Sequence, residues 1–328
     1  MNNVRITGRL DEREADGVVA LAEEAQRHDG VAPLSEQTLL RVRHGAADGS
    51  ARFHLLYDEP GARPAGFAFA QRTPGEPDSG ELVVAPARRR RGHGAALLGS
   101  LAADTSPSGL RVWAHGRLDG AVALARSAGW RQVRGLFKMR LRLDGEAPAE
   151  LPEPVLRPEV RDRVRLRTFV PGADEDAWLR VNGAAFADHP EQGALTRTDL
   201  LEREAEDWFD PEGFFLAEDA GSGALAGFHW TKVHADGAGL ADVPVGEVYV
   251  VGVDPAWQGT GLGRALTVAG LRYLRDRGLP WVLLYTDEEN RSAVRLYESL
   301  GFRVFATDVM YATSSATPHA TSGFAHTA

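Results

Sequence analysis

The 328-residue chain contains no cysteine. Disulfide bonds, thiolate metal sites and a cysteine nucleophile are therefore excluded. Lysine is also scarce, because Lys138 and Lys232 are the only lysines among the 37 basic residues. This scarcity excludes Schiff-base chemistry on lysine almost everywhere in the chain. Any thiol in the reaction must come from a substrate or a cofactor.

The sequence also lacks long apolar runs and an excess of positive charge. No apolar stretch approaches the ~20 residues that span a bilayer, and no basic start followed by an apolar segment marks a secretory signal. We therefore expect a cytoplasmic protein that does not bind membranes. The net charge of −9 argues against a nucleic-acid partner.

Two widely separated parts of the chain repeat each other. Residues 83–101 and 252–270 both read as a strand, a proline, a six-residue turn and a helix rich in alanine and leucine. Further on, AVALARSAGW (121–130) matches AVRLYESLGF (293–302) without a gap. A tandem duplication explains this order and spacing. It predicts an N-terminal domain at 1–143 and a C-terminal domain at 162–312.

Each half alternates strands and helices, which predicts an α/β fold with a mixed sheet. In the second half, VGEVYVVGV (245–253) reads as a buried strand, followed by helices at 261–277 and 290–299. Residues 144–161 are rich in proline and glutamate, which is typical of a linker. Residues 313–328 are small and polar, and we expect them to be disordered.

The turn Gln258–Gly263 lies between a strand and a helix. Its glycines allow a sharp turn that presents N–H groups at the helix N-terminus, which suits a pyrophosphate. It lacks the Gly-Lys-Ser/Thr ending of a P-loop, and it lies too late in its domain for a dinucleotide fingerprint. It has instead the Gln/Arg-x-x-Gly-x-Gly/Ala pattern of acetyl-CoA binding, which Arg89–Gly94 repeats.

With this turn and the block from Asn290 to Phe302, the chain resembles the GNAT superfamily of acetyltransferases. More narrowly, it resembles the mycothiol acetyltransferases, which have tandem GNAT domains. The segments that carry this resemblance are HPEQG (189–193), GFHWTK (227–232), GEVYVVGVDPAWQGTGLGRALT (246–267) and LLYTDEENRSAVRLYESLGF (283–302). The resemblance implies acetyl transfer from acetyl-CoA to the cysteinyl amine of a cysteine-glucosamine-inositol conjugate, the last step of mycothiol biosynthesis.

The resemblance also implies which residues bind acetyl-CoA. In the second half they are Val251, Gly252, Val253, Gln258, Gly259, Thr260, Gly261, Leu262, Gly263, Arg264, Asn290, Arg291, Ser292, Ala293, Val294 and Arg295. In the first half they are Leu82, Val83, Val84, Arg89, Arg90, Arg91, Gly92, His93 and Gly94. The basic run at 88–91 is either a solvated face or a contact to phosphates.

Glu247 and Tyr297 are the candidate catalytic residues. Glu247 would act as a base, directly or through a water, although a solvent-facing carboxylate is the alternative. Tyr297 would stabilise the thiolate of CoA by a hydrogen bond, because a tyrosine with a pKa near 10 donates a proton unfavourably to a thiolate of pKa about 8.5. A core aromatic is its alternative. In the first half, Ala125 aligns with Tyr297, and Asp78 aligns with Glu247 when the two halves are aligned on their shared proline. Because the first half lacks the tyrosine, we expect it to bind acetyl-CoA without turnover.

By resemblance, the acceptor would be bound by Glu36, Glu191, Lys232, Glu247 and Tyr285. Ordinary surface charge is the alternative for the charged members. The histidines at 189, 229 and 234 have no convincing metal spacing, so we expect no metal. We also expect a monomer.

Two other functions remain open at this point. A tandem GNAT enzyme could acetylate another amine, such as an aminoglycoside, a polyamine or a protein N-terminus. The chain could instead be a non-catalytic acyl-CoA sensor. The presence of both Glu247 and Tyr297 argues against a sensor, because binding alone requires neither.

Overall fold

The computed structural model describes residues 4–45, 50–59, 61–144, 151–187, 190–237 and 241–313. The chain divides into two compact units. Of the described residues, the first unit takes those up to Leu136 together with those from Ala306 onward, and the second takes Phe137–Phe305. None of the described helices is long and apolar enough to cross a membrane.

The first unit has helices on both faces of its sheet. Its elements are β1 (Val4–Thr7), α1 (Glu12–Asp29), α2 (Glu36–His44), β2 (Ala51–Leu56), β3 (Gly66–Gln71), β4 (Asp78–Val84), α3 (His93–Ala103), β5 (Leu110–Ala114), α4 (Asp119–Ser127) and the start of β6 (Trp130–Arg142). Leu21 of α1 packs against Phe53 and Phe67 in one cluster. Leu97 of α3 packs against Ala68 in another. Because neighbouring residues of a strand face opposite sides, these clusters cover the two faces.

The second unit repeats this arrangement. Its elements are the end of β6, α5 (Pro158–Arg161), β7 (Val164–Thr168), α6 (Glu175–Ala185), α7 (Pro190–Gly193), α8 (Arg197–Glu204), β8 (Phe214–Asp219), β9 (Leu225–His234), β10 (Val245–Val253), α9 (Leu262–Asp276), β11 (Trp281–Asp287), α10 (Arg291–Ser299) and the start of β12 (Arg303–Thr313). Trp178 of α6 packs against Phe214 and Trp230. Leu271 of α9 packs against Val248 in a second cluster.

The strand order is the same in both units. It is β1-β2-β3-β4-β5-β12 in the first and β7-β8-β9-β10-β11-β6 in the second. The pairs β4–β5 and β10–β11 are parallel, whereas β1–β2, β2–β3 and β3–β4, like β7–β8, β8–β9 and β9–β10, are antiparallel. The predicted mixed sheet is confirmed, and β10 has the bounds expected from its β-branched run.

The last strand of each half crosses into the other unit. Residues of β6 from Phe137 belong to the second unit, in which β6 lies next to β11. Residues of β12 from Ala306 belong to the first unit, where Val309 lies opposite Ala114 on β5. The predicted boundary at 143 lies beyond this crossing. The apolar pattern of a final strand does not specify which sheet edge it joins.

Part of the predicted linker packs against the second unit. Leu151, Leu156 and Val160 are buried in its apolar clusters, and Pro158–Arg161 forms α5. This stretch is therefore not a free spacer. Residues 145–150 and 314–328, the latter including nearly all of the predicted tail, lie outside the described residues.

Candidate active site

The sheet of the second unit opens between β10 and β11. Within 245–253 and 281–287, all of which the structure describes, these strands pair only at Gly246 and Glu247. Beyond Glu247, β10 continues to Val253 with β9 on its other side. Backbone groups of Val251–Val253 that point away from β9 can therefore bind a ligand in the opening.

Glu247 lies where the opening begins. It is only 2% exposed, so it does not adopt the solvent-facing alternative. Its Oε2 lies 2.6 Å from Nε2 of His234. Lys232 is its direct partner on β9, and directly opposed residues project from the same face. The carboxylate thus contacts His234, and Lys232 projects from the same face of the sheet at the neighbouring position.

The structural counterpart of Glu247 in the first unit is Ser79, which corrects the alignment with Asp78. Glu247 pairs with Lys232, and Ser79 occupies the matching register opposite Gln71. A β-bulge at Tyr249 adds one residue to β10, and β4 pairs with β3 without such a shift. Counting back from the shared proline therefore gives a position one residue off.

Lys232 is buried against aromatic rings. Its Nζ lies 4.7 Å from the ring centre of Trp208 and 5.6 Å from that of Tyr249. Arg203 Nε lies 3.3 Å from the hydroxyl of Tyr249. Cation–π contacts restrain an ammonium, so Lys232 is a positioned charge beside Glu247 and not a solvated one.

Tyr297 is buried in the same apolar cluster as Val248, with Val251 packed against that cluster. Its ring lies 5.7 Å from that of Phe302. Burial raises the pKa of Tyr297 to about 12. Among the described residues, its hydroxyl makes no hydrogen bond, so it can donate one to an incoming group.

The turn before α9 has the geometry of an anion site. Gly259 and Gly261 have φ of 75° and 88°, in the left-handed region. Gly261 is the N-cap of α9, and no side chain caps this end, so the first N–H groups of the helix can bind phosphate. The side chain of Arg157 lies beside the turn, with Nε 3.5 Å from the position that a Cβ on Gly261 would take.

The start of α10 is capped by Asn290. Its Oδ1 accepts hydrogen bonds from the Ala293 N–H at 3.1 Å and from the Ser292 hydroxyl at 2.9 Å. Arg264 on α9 donates to Ser299 of α10 at 2.6 Å, so a side-chain contact joins the two helices. The amide oxygen of Asn290 therefore already accepts hydrogen bonds at the start of α10.

Of the predicted acceptor residues, Lys232, Glu247 and Tyr285 lie on the same face of neighbouring strands in the second unit. Tyr285 lies on β11, two residues beyond the partner of Glu247, and Lys138 Nζ lies 5.7 Å from its ring centre. Glu36 is exposed in the first turn of α2, in the first unit. Glu191 lies in α7, but its side chain and His189 are outside what the structure describes.

The first unit contains a cavity of about 820 Å³ at the equivalent opening, a size typical of ligand pockets. The predicted residues Leu82, Val83, Val84, Arg89, Arg90, Gly92 and Gly94 line it, and Arg91 and His93 do not. Ala125 and Leu118 also line it. Leu118 is the N-cap of α4 without a side-chain cap, where the second unit has Asn290.

Arg89 and Arg90 differ in role within this cavity. Arg89 forms two hydrogen bonds to Asp29, at 2.7 and 2.6 Å, so its charge is already paired. Arg90 has a φ of 62° and matches Gly259. A left-handed residue other than glycine is uncommon, and Arg90 thus preserves the turn despite its Cβ.

A buried ionic triad in the first unit was not predicted. Nδ1 of His115 lies 3.0 Å from Asp308, and Nε2 lies 3.3 Å from Glu81. Burial alone would lower the pKa of His115, but the hydrogen bonds to Asp308 and Glu81 raise it to about 9. The Ser35 N–H also donates to Glu81. His115 is therefore a buried imidazolium between two carboxylates.

Sequence reasoning also missed His234 and Arg157. The alternation of β9 would have placed His234 on the face of Lys232, but the position of Arg157 in a proline-rich stretch gave no signal. Among the described residues, no group of three or more His, Cys, Asp or Glu side chains is placed to hold a metal ion.

Comparison with known proteins agrees with this geometry. The model of the acetyltransferase (GNAT) family matches residues 183–302. The mycothiol acetyltransferase of Nocardiopsis dassonvillei is 63% identical over 95% of this chain and 97% of its own length. That of Thermobifida fusca is 63% identical over 95% and 98%. The chain belongs to the mycothiol acetyltransferase family.

Solved structures agree on the fold. A GCN5-related N-acetyltransferase from Sphaerobacter thermophilus matches with a TM-score of 0.67 and 26% identity, over 94% of both chains. A tandem GNAT protein from the clavulanic acid biosynthesis pathway has a TM-score of 0.65 at 17% identity, over 94% of this chain and 98% of its own. This member of the mycothiol acetyltransferase family is thus an acetyltransferase with two GNAT domains, a class of enzymes that uses acetyl-CoA.

Proposed function

We propose that the protein transfers the acetyl group of acetyl-CoA to the cysteinyl amine of a cysteine-glucosamine-inositol conjugate, and that the second unit performs this reaction. The observation that carries the proposal is the buried Glu247 at the point where β10 and β11 part. The name shared by the relatives supports the choice of acceptor.

Glu247 accepts the proton of the acceptor amine, directly or through a water. The amine has an ordinary pKa of about 7.7 to 8.0, so near neutral pH only modest help is needed. The amine nitrogen then forms a bond to the acetyl carbon, the bond from that carbon to sulfur breaks, and the nitrogen releases its second proton to water. Backbone groups of Val251–Val253 hold the thioester carbonyl.

Tyr297 stabilises the leaving thiolate by a hydrogen bond. With a pKa of about 12, full donation of its proton to a thiolate of pKa about 8.5 would cost about 5 kcal/mol. The hydrogen bond itself carries no such cost, and the thiolate leaves to be protonated by solvent.

The residues of the second unit fit the phosphates of acetyl-CoA. The uncapped start of α9 provides N–H donors, and the left-handed glycines remove the Cβ atoms that would obstruct them. Arg157 adds a positive charge beside this turn. The first unit also binds acetyl-CoA, in its 820 Å³ cavity, but Ser79 and Ala125 leave it without a base and without the tyrosine.

Acetylation measured by mass spectrometry tests this function. Purified protein is mixed with acetyl-CoA and a panel of amines: the cysteinyl conjugate, an aminoglycoside, a polyamine and a peptide with a free N-terminus. We expect the cysteinyl conjugate to be acetylated far faster than the others. Turnover on other amines alone would refute the acceptor, and acetyl-CoA binding without turnover would indicate a sensor.

A further inference from the structure

His234 forms a buried pair with Glu247, and no step of the proposed reaction gives His234 a role. His234 is 7% exposed and Glu247 is 2% exposed. A carboxylate oxygen and an unprotonated imidazole nitrogen are both acceptors, so their 2.6 Å separation requires a hydrogen between them. Because an imidazole is a stronger base than a carboxylate, we assign this hydrogen to Nε2 of His234, which donates it to Oε2 of Glu247.

We propose that His234 is a positioning residue that keeps Glu247 ionised and directs its second oxygen toward the acceptor amine. The proposal rests on the proposed role of Glu247 as the base. It goes beyond that role because it names the group that makes a buried carboxylate able to act.

The register of β9 and β10 creates this pair. His234 lies opposite Val245, and Glu247 is two residues further along β10, on the same face. Such diagonal neighbours lie about 7–8 Å apart at Cα, within reach of an imidazole. In the first unit, Ser79 replaces Glu247, and Thr73 stands two residues past the partner of Ser79. The first unit, which we expect not to catalyse acetyl transfer, therefore lacks the pair.

The hydrogen bond has a direct chemical effect. Burial disfavours the charged form of a carboxylate, and a hydrogen bond to that form favours it. A buried carboxylate without a donor favours its neutral form, and a neutral carboxyl group cannot accept a proton from an amine. With Oε2 occupied by Nε2–H, the other oxygen takes up the amine proton, and the hydrogen of His234 stays in place throughout.

Other charged groups surround the pair, and the test has to separate their influence. Lys232 lies on β9 beside it, and Tyr249 lies on β10 with Arg203 of α8 at its hydroxyl. By strand alternation, β11 contributes Tyr285 and Asp287 to this face, and Asp236 follows His234 after the end of β9. The buried side of α6 carries the carboxylate of Glu175 as well as the uncharged Trp178 and Val181.

Two substitutions of His234 separate the effect of hydrogen-bond donation from the effect of side-chain volume. His234→Gln keeps an N–H donor, whereas His234→Leu removes it and fills similar space. We expect His234→Leu to lower kcat about 10- to 100-fold, with an unchanged KM for acetyl-CoA. The acidic limb of its plot of kcat/KM against pH should move to higher pH. We expect His234→Gln to restore most of kcat and the original limb.

His229→Gln is the matched control. His229 is a buried histidine on the same strand but the opposite face, and its Nδ1 lies 2.9 Å from the Leu266 carbonyl oxygen. This substitution should leave the pH profile where it is, whatever it does to thermal stability. Should His234→Leu retain the wild-type limb, or should His234→Gln lose as much kcat as His234→Leu, the positioning role is overturned.

A second measurement does not depend on the acceptor. In protein labelled with ¹⁵N-histidine, the resonance absent from His234→Gln belongs to His234. We expect its Nε2 to be protonated in the wild type. We expect the Nε2 resonance to have a different chemical shift in Glu247→Gln. If the wild type does not acetylate the conjugate but its His234 resonance differs from that in Glu247→Gln, the proposed function is refuted. The hydrogen bond between His234 and Glu247 is then still supported. If Nε2 is unprotonated in an enzyme that does acetylate the conjugate, the positioning role of His234 is refuted and the proposed function is not.

Discussion

The imidazolium of His115 should make the stability of the protein fall between pH 7 and pH 9. Its folded-state pKa of about 9 exceeds the ordinary 6.5. The stabilisation is therefore fully present below pH 6.5 and is lost as the pH rises through 9. The difference in pKa corresponds to about 3 kcal/mol, of which about 2 kcal/mol disappears between pH 7 and pH 9.

The effect is measured with urea unfolding of the wild type and of His115→Gln at both pH values. Glutamine keeps one N–H donor for the carboxylates but does not titrate in this range. We expect the wild type to lose about 2 kcal/mol more of its unfolding free energy than the variant does. Using the difference between the two proteins cancels the contributions of other titrating groups.

Asp308→Asn gives an independent control in case His115→Gln is too unstable to measure. It removes one of the two charges beside His115 and keeps the shape of the side chain, so the loss of stability should begin at a lower pH. Parallel pH dependences in the wild type and both variants would refute the reasoning, because His115 would then not be an imidazolium in the folded state.

Three further predictions concern acetyl-CoA and turnover. Tyr297→Phe should lower kcat about 10-fold or more while leaving the affinity for acetyl-CoA nearly unchanged, and steady-state kinetics with an unchanged kcat would remove the hydroxyl from the mechanism. Gly261→Val places a Cβ at a φ of 88°, so calorimetry should count one acetyl-CoA site in the variant, whereas we expect two in the wild type; an unchanged number of sites would refute the location. Arg157→Ala should raise the KM for acetyl-CoA about 5- to 10-fold with kcat unchanged, and the two KM values should converge at high salt, because screening of the phosphate contact raises the KM of the wild type toward that of the variant.

The elements of the second half could be predicted from the sequence, because their signals are local. The β-branched run 245–253 is β10, the segment expected as a helix at 261–277 is α9, and that at 290–299 is α10. The turn glycines were recognisable because left-handed backbone requires the absence of a Cβ. Comparison of the repeats revealed that Ala125 replaces Tyr297, since both positions lie in helices of equal length without an insertion.

What the tertiary structure decided depends on pairing between distant residues. The bulge at Tyr249 inserts one residue without changing the β-branched pattern, so only strand register could identify Ser79 as the counterpart of Glu247. The contact of His115 with Asp308 joins residues 193 positions apart, and it forms because β12 ends in the first unit. Hydrophobic periodicity specifies which face of a strand is buried, but it does not specify which neighbour the strand will meet.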